Sequence, residues 1–231
     1  MTNDQWATID DYFADLLIPD DPALDALKAS KEAGLPETTD PTEGRTPGAV
    51  TPSQGKLLYL LAKTCDARNI LEIGTLGGYS TIWLARALPK DGRLITLEYN
   101  RKHAEVATNN IANAGLADIV NIQLGPALDT LTRLAEEHHE PFDLIFIDAD
   151  KKNNAKYFQW ALRLSHPGTL IIVDNVVRNG AVVDPDDMEP AVGGIRRMVE
   201  LIAAEPRAEA TAIQTVGSKG YDGLLLARVT E

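Results

Sequence analysis

Two short clusters hold the side chains best suited to chemistry: Asp148-Ala149-Asp150-Lys151 and Asp174-Asn175. Carboxylates and a carboxamide offer only oxygen ligands. That set suits a hard cation such as Mg²⁺, which keeps its remaining positions for water or substrate. Each cluster directly follows an apolar run, Leu144 to Ile147 and Leu170 to Val173. Such runs read as buried strands of a parallel sheet. Carboxylates at the carboxyl ends of parallel strands reach the crevice where open α/β sheets bind ligands. Metal-assisted chemistry is the expectation.

A second constellation is Leu71-Glu72-Ile73-Gly74-Thr75-Leu76-Gly77-Gly78-Tyr79-Ser80, which ends one apolar run and opens a helical pattern. Glycines let the backbone turn sharply and let a ligand approach closely. A dinucleotide-binding turn would read G-x-G-x-x-G, with pyrophosphate at the helix N-terminus. Here Thr75 takes the place of an x but Leu76 stands where the second glycine is required, and Glu72 sets a negative charge close to where the phosphates would lie. Both points disfavour NAD(P) and favour a cofactor with a cationic end, such as the amine and sulfonium of S-adenosylmethionine. Glu98 ends the next apolar run and suits both hydroxyls of a ribose. Gly125-Pro126-Ala127-Leu128 reads equally well as an adenine-lining loop or as a plain connection.

The elements that must position these residues alternate. Apolar strands are expected at 69–73, 93–98, 119–124, 143–148 and 168–173, with helices near 79–88, 101–114, 127–138 and 153–165. A further helix is expected at 191–204, and runs at 210–216 and 223–229 flank Gly217-Ser218-Lys219-Gly220. The pattern predicts a doubly wound, mostly parallel seven-stranded α/β sheet with a C-terminal antiparallel hairpin. Upstream, Trp6, Ile9, Phe13, Leu16 and Leu17 recur at helical spacing. Packing of that stripe into the core is the plainer expectation; a dimer interface or acceptor lid is the other. A second helix is expected at 23–33, and the Pro-, Gly- and Thr-rich stretch 35–50 reads as a lid. Thr51-Pro52-Ser53-Gln54 has the form of a capping box. A single domain over 1–231 is expected, with helices and lid in 1–50 and the cofactor- and metal-binding core in 51–231.

Composition narrows the function. The 231 residues are 44% hydrophobic and 24% charged, with a net charge of −12. Phosphate-backbone binding is disfavoured by that charge. No apolar run approaches the roughly 18 residues of a membrane-spanning helix, and Met1 to Asp15 lacks a signal-peptide core. Cys65 is the only cysteine; it is expected in the core, in a reducing cytoplasm. The four histidines sit in polar settings without i, i+4 spacing, which argues against a His-rich zinc site.

Taken in order, LEIGTLGGYS, TLEYN, GPALDTL, FDLIFIDADK, VDNVVRNG and YDGLLLARV resemble class I S-adenosylmethionine-dependent O-methyltransferases with a Rossmann-like sheet. The likeness is to the cation-dependent branch of catechol and caffeoyl-CoA O-methyltransferases, from about Val50 to Val229. It implies Mg²⁺ or another divalent cation on Asp148, Asp174 and Asn175. It implies cofactor contacts at Val50, Glu72, Gly74, Ser80, Glu98 and Ala127, with Asp148 or Asp150 near the methionine end. It implies Lys151 as general base, a small phenolic acceptor and a homodimer. The sequence departs from many relatives at Leu76-Gly77 and at Val176-Val177-Arg178-Asn179-Gly180, where a Trp and a His are common.

Competing readings stand beside this one. Asp148 and Asp150 suit helix caps, Asp174-Asn175 suits a turn, and Lys151 could form a surface ion pair. Tyr221 and Asp222 precede the last expected strand, as pocket residues or as shapers of the hairpin turn. A nicotinamide-dependent oxidoreductase and a non-catalytic cofactor-binding protein are the functional alternatives.

Overall fold

The computed structural model describes residues 3–18, 20–26, 30 and 48–231. Seven strands form one sheet: β1 (Asn69–Ile73), β2 (Arg93–Glu98), β3 (Val120–Leu124), β4 (Phe142–Ile147), β5 (Ser165–Asp174), β6 (Ala208–Gly217) and β7 (Gly220–Val229). Their order is β3-β2-β1-β4-β5-β7-β6. β1 to β5 are parallel, and β7 runs antiparallel between β5 and β6. The predicted hairpin is therefore present, with β7 inside the sheet. Tyr221 and Asp222 lie within β7, not before it.

The helices are α1 (Asn3–Leu17), α2 (Pro52–Thr64), α3 (Tyr79–Ala87), α4 (Arg101–Asn113), α5 (Ala127–Glu136), α6 (Asn154–Arg163) and α7 (Pro190–Ala203). Thr51 caps α2 as its sequence predicts: its hydroxyl accepts from the Gln54 amide, and the Gln54 side chain accepts from the Thr51 amide. Strand alternation sends Leu71, Ile73, Ile145, Ile147 and Val173 to one face, against Leu131, Phe158, Ile195 and Met198 of α5, α6 and α7. Ile70, Leu144, Phe146 and Ile172 face the other way, against Leu58, Ile82 and Ile111 of α2, α3 and α4. Both faces are covered, which is why the strands read as continuous apolar runs. Cys65 is half-buried at the end of α2, at the margin of the second core, and burial pushes its thiol pKa up.

The expectation for α1 needs correction. The helix is present, but none of its residues is buried, and Ile9, Tyr12, Phe13, Leu16 and Leu17 are exposed. Asp10 accepts from the Ser218 amide at the tip of the β6–β7 hairpin, so the helix is anchored by a polar contact. Periodicity identified an apolar stripe correctly; it carried no information on what the stripe faces. The expected helix at 23–33 and the lid at 35–50 lie largely outside the described residues. Within them, Pro22–Asp25 forms a short 3-10 turn.

Candidate active site

Register assembles the site. Ile147 of β4 pairs with Ile73 of β1 on one side and Val173 of β5 on the other. The next residues along each chain, Gly74, Asp148 and Asp174, therefore emerge side by side at the carboxyl ends of three adjacent strands. β1 neighbours β2 on one side and β4 on the other, so this is also the point where the sheet reverses direction, the place such folds bind ligands. Gly74 has φ 103°, and a Cβ there would lie 2.2 Å from the Asp148 carbonyl oxygen. Only glycine allows β1 and β4 to meet so closely.

Asp174 is 3% exposed and its Oδ1 accepts from the Asn175 amide at 2.7 Å. Burial, then the charge of Asp148, pushes its pKa up to about 7, against the pull of Lys151. Lys151 is itself 3% exposed, with Nζ 2.6 Å from Asp148 Oδ1. The pair is thus buried on the lysine side, not the surface ion pair of the blander reading. Asn175 comes next with φ 58°, the left-handed turn that asparagine tolerates best among residues with a side chain. Two mutually repelling carboxylates with an adjacent carboxamide fit a hard cation: a metal ion would relieve the repulsion and find only oxygen donors. No group of three His, Cys, Asp or Glu residues able to hold a metal exists among the described residues. Asn175 would have to complete the set.

Several supporting roles were not legible beforehand. Asp222 Oδ1 accepts from the amides of Val177 and Arg178, at 3.0 Å each, and so holds the chain just beyond Asn175. Arg196 of α7 donates to the carbonyls of Val182 and Asp187 at 3.0 Å, and to those of Ala181 and Asp184, which ties down the rest of this loop. Gly194 brings α7 against the Lys151 backbone; a Cβ there would fall 2.2 Å from the Lys151 carbonyl oxygen. A Gly-Gly pair inside a helical pattern was the available signal for that approach.

The glycine turn forms the second half of the site. Glu72 is fully buried and accepts hydroxyl hydrogen bonds from Ser80 and Thr96 at 2.6 Å each, and from Thr81. Burial pushes its pKa up to about 7, although all three hydroxyls favour the charged form. Glu72 and Ser80 thus bind each other beneath the turn. Thr96 also shares a 2.6 Å hydroxyl contact with Thr75 in the turn. Glu98 is 6% exposed; its Oε2 accepts from the Leu76 amide at 2.9 Å and its Oε1 from the Asn100 amide at 2.7 Å. Gly125 donates its amide to the Glu98 carbonyl at 2.8 Å, which places the start of α5 and Ala127 beside Glu98. Val50 is buried just ahead of α2. Asp150 turns toward α6, where it accepts from Asn153 Nδ2 at 2.6 Å and from the Tyr157 hydroxyl. Burial, then Asp150, raises the Tyr157 pKa. The four histidines do not share polar settings: His103 is only 2% exposed and faces Glu98.

A protein-family model described as O-methyltransferase matches residues 30–230. The catechol O-methyltransferase of Niastella koreensis is 54% identical over 230 residues, 99% of this chain and 100% of that protein. The O-methyltransferase from Bacillus cereus, solved in complex with SAH, aligns with a TM-score of 0.92 and 55% identity, over 99% of this chain and 100% of that one. TomG from Streptomyces achromogenes, an O-methyltransferase involved in tomaymycin synthesis and solved with SAM, aligns with a TM-score of 0.92 and 50% identity over 100% of both chains.

Proposed function

Since this chain belongs to the O-methyltransferase family, we propose that it moves the methyl group of S-adenosylmethionine onto one hydroxyl of a small catechol-like acceptor. A divalent cation, Mg²⁺ first among them, is assigned to Asp148, Asp174 and Asn175. The cofactor is assigned to the glycine turn, with Val50, Glu72, Gly74, Ser80, Glu98 and Ala127 around it and Asp148 or Asp150 toward its methionine end. One observation carries the reading: a Lys151–Asp148 pair buried on its lysine side and a buried Asp174 converge beside the Gly74 turn at the point where the strand order reverses.

The cofactor arrives with its methyl already activated on the sulfonium. A divalent cation, when bound, polarises an acceptor hydroxyl and fixes the orientation of a vicinal diol. The chain supplies the rest. Glu98 takes the ribose hydroxyls. Gly74 lets the cofactor lie close to the strand ends. Lys151 Nζ, in its neutral amine form, receives the acceptor's proton and becomes the ammonium as the oxygen attacks the methyl in line. Much of the rate gain comes from holding the two reactants in register. The Gly194 contact and the Asp222 clamp keep the base and the loop after Asn175 in place during that step. A second copy of this chain covers the exposed stripe of α1; light scattering after size exclusion tests the dimer. The single cysteine suits a cytoplasmic setting.

Methyl transfer to catechols, caffeoyl derivatives and mono-phenols tests the reaction, with Mg²⁺, with EDTA and with Asp174→Ala. The expected result is product on dihydroxy acceptors only, abolished by EDTA and restored by Mg²⁺. Activity that survives EDTA would remove the metal from the mechanism. Cofactor binding without product on any acceptor would favour a binding protein.

A further inference from the structure

His103 stands on the first turns of α4, 2% exposed. Its Nδ1 is buried and has no hydrogen-bond partner. Buried polar atoms in native proteins are nearly always paired, and each exception costs stability unless something else uses it. The polar group facing this nitrogen is Glu98 Oε1, at 3.5 Å. That distance is a few tenths of an ångström beyond a normal hydrogen bond. Nothing in the transfer step itself uses His103.

The surroundings of Glu98 give the contact a purpose. A carboxylate offers about four lone-pair sites. The Leu76 amide occupies one on Oε2 and the Asn100 amide one on Oε1. Two sites remain, one on each oxygen: the one on Oε1 faces His103, and the one on Oε2 is open to the ribose diol. The Leu76 amide belongs to a residue at φ 50°, a conformation that costs energy for a side chain of its kind. Glu98 is thus pinned to the glycine turn on one side and to the start of α4 on the other, with an imidazole packed against it.

We propose that His103 is a positioning residue for the cofactor's ribose: its Nδ1–H closes onto Glu98 Oε1 and fixes the carboxylate while the diol is bound. The proposal rests on the assignment of S-adenosylmethionine as the cofactor. His103 acts through Glu98 and touches neither the methyl group nor the acceptor. Its loss therefore weakens cofactor binding and leaves the chemical step alone.

The test is calorimetric titration of the full chain with S-adenosylhomocysteine, together with KM for S-adenosylmethionine and kcat. His103→Phe, which keeps the ring volume and removes the nitrogens, is expected to weaken binding roughly tenfold, the scale of one hydrogen bond to a charged group. KM should rise in parallel while kcat stays within about twofold. His103→Asn, whose amide reaches the position of Nδ1, should recover most of the loss. Combining His103→Phe with Glu98→Gln should bind no more weakly than Glu98→Gln alone, because both remove one interaction. If His103→Phe does not fold, His103→Gln replaces it, with the same weakening expected because its donor lies beyond the Nδ1 position. Wild-type affinity in the folded variant, or additive losses in the double variant, would overturn the proposal. Failure of the wild-type chain to bind S-adenosylhomocysteine would overturn the cofactor reading itself, and this proposal with it.

Discussion

At the amino end of the sheet, Asp143 accepts from the amides of Arg68 and Asn69 at 2.8 Å each and meets His166 Nε2 at 2.9 Å near the surface. At the carboxyl end, Asp174 is buried beside Asp148 with one backbone amide on its carboxylate. The two aspartates sit on neighbouring strands, yet their surroundings act on them in opposite directions. Partial burial works against Asp143, but Arg68, His166 and Asn69 together hold its pKa below the usual carboxylate range. Burial and Asp148 drive Asp174 up to about 7. Charge at the amino end ties three strands together; charge at the carboxyl end opposes folding and is kept for a ligand.

The largest effect expected from this contrast is at Asp174. Asp174→Asn should lower methyl transfer by roughly 100-fold or more, since altering even the outer shell of a metal site costs 10–100-fold. The same substitution should raise the melting temperature of metal-free protein at pH 8, because a neutral amide replaces a buried, repelled carboxylate. Thermal melting in EDTA alongside the activity assay checks both signs. A variant that loses stability as well as activity would break the contrast.

Glu72 sharpens it next. Its folded pKa of about 7 lies above its ordinary 4.5. The folded state therefore binds the proton more tightly, and the resulting stabilisation is fully present below about 4.5 and lost as pH rises through about 7. Asp174 adds to the same slope in metal-free protein. Denaturant melts between pH 5 and 8 should show stability falling by on the order of a few kcal/mol, and Glu72→Gln should flatten part of that fall.

Gly194→Ala comes third. The new methyl must displace the Lys151 backbone or the helix, at a cost of roughly 1–3 kcal/mol, and kcat should fall while the Kd for S-adenosylhomocysteine holds. Kinetics with calorimetry separates the two.

The smallest effect belongs to the amino end. The His166 pKa is raised, by its contact with the Pro167 carbonyl and then by Asp143. Its contribution is present below about 6.5 and lost as pH rises through the raised value. His166→Ala should cost under about 1 kcal/mol near pH 5.5, nothing measurable at pH 9, and no activity at either.

The strands, the hairpin and the acidic pairs were legible because each depends on residues close in sequence: a doubly covered strand must be apolar throughout, and the residues after its last apolar position must leave the sheet. The capping box of α2 was legible for the same reason. The roles of His103 and Asp222, and Arg196 and the close approach at Gly194 altogether, were not. Each takes its meaning from a partner on another element, and a lone histidine, aspartate or arginine has no period to betray it. The stripe on α1 shows the converse limit, since helical spacing reports a face and not its partner.

The position of β7 has a consequence for how the molecule is made. β7 is synthesised after every other strand, yet it inserts between β5 and β6, and its Asp222 secures the loop that leaves Asp174 and Asn175. A nascent chain that has completed β1 to β5 carries the residues of both halves of the site but lacks the strand that sets the second. Recovery of activity on refolding should therefore trail the formation of the parallel sheet, and a chain interrupted before residue 220 should be silent however well its first five strands have folded.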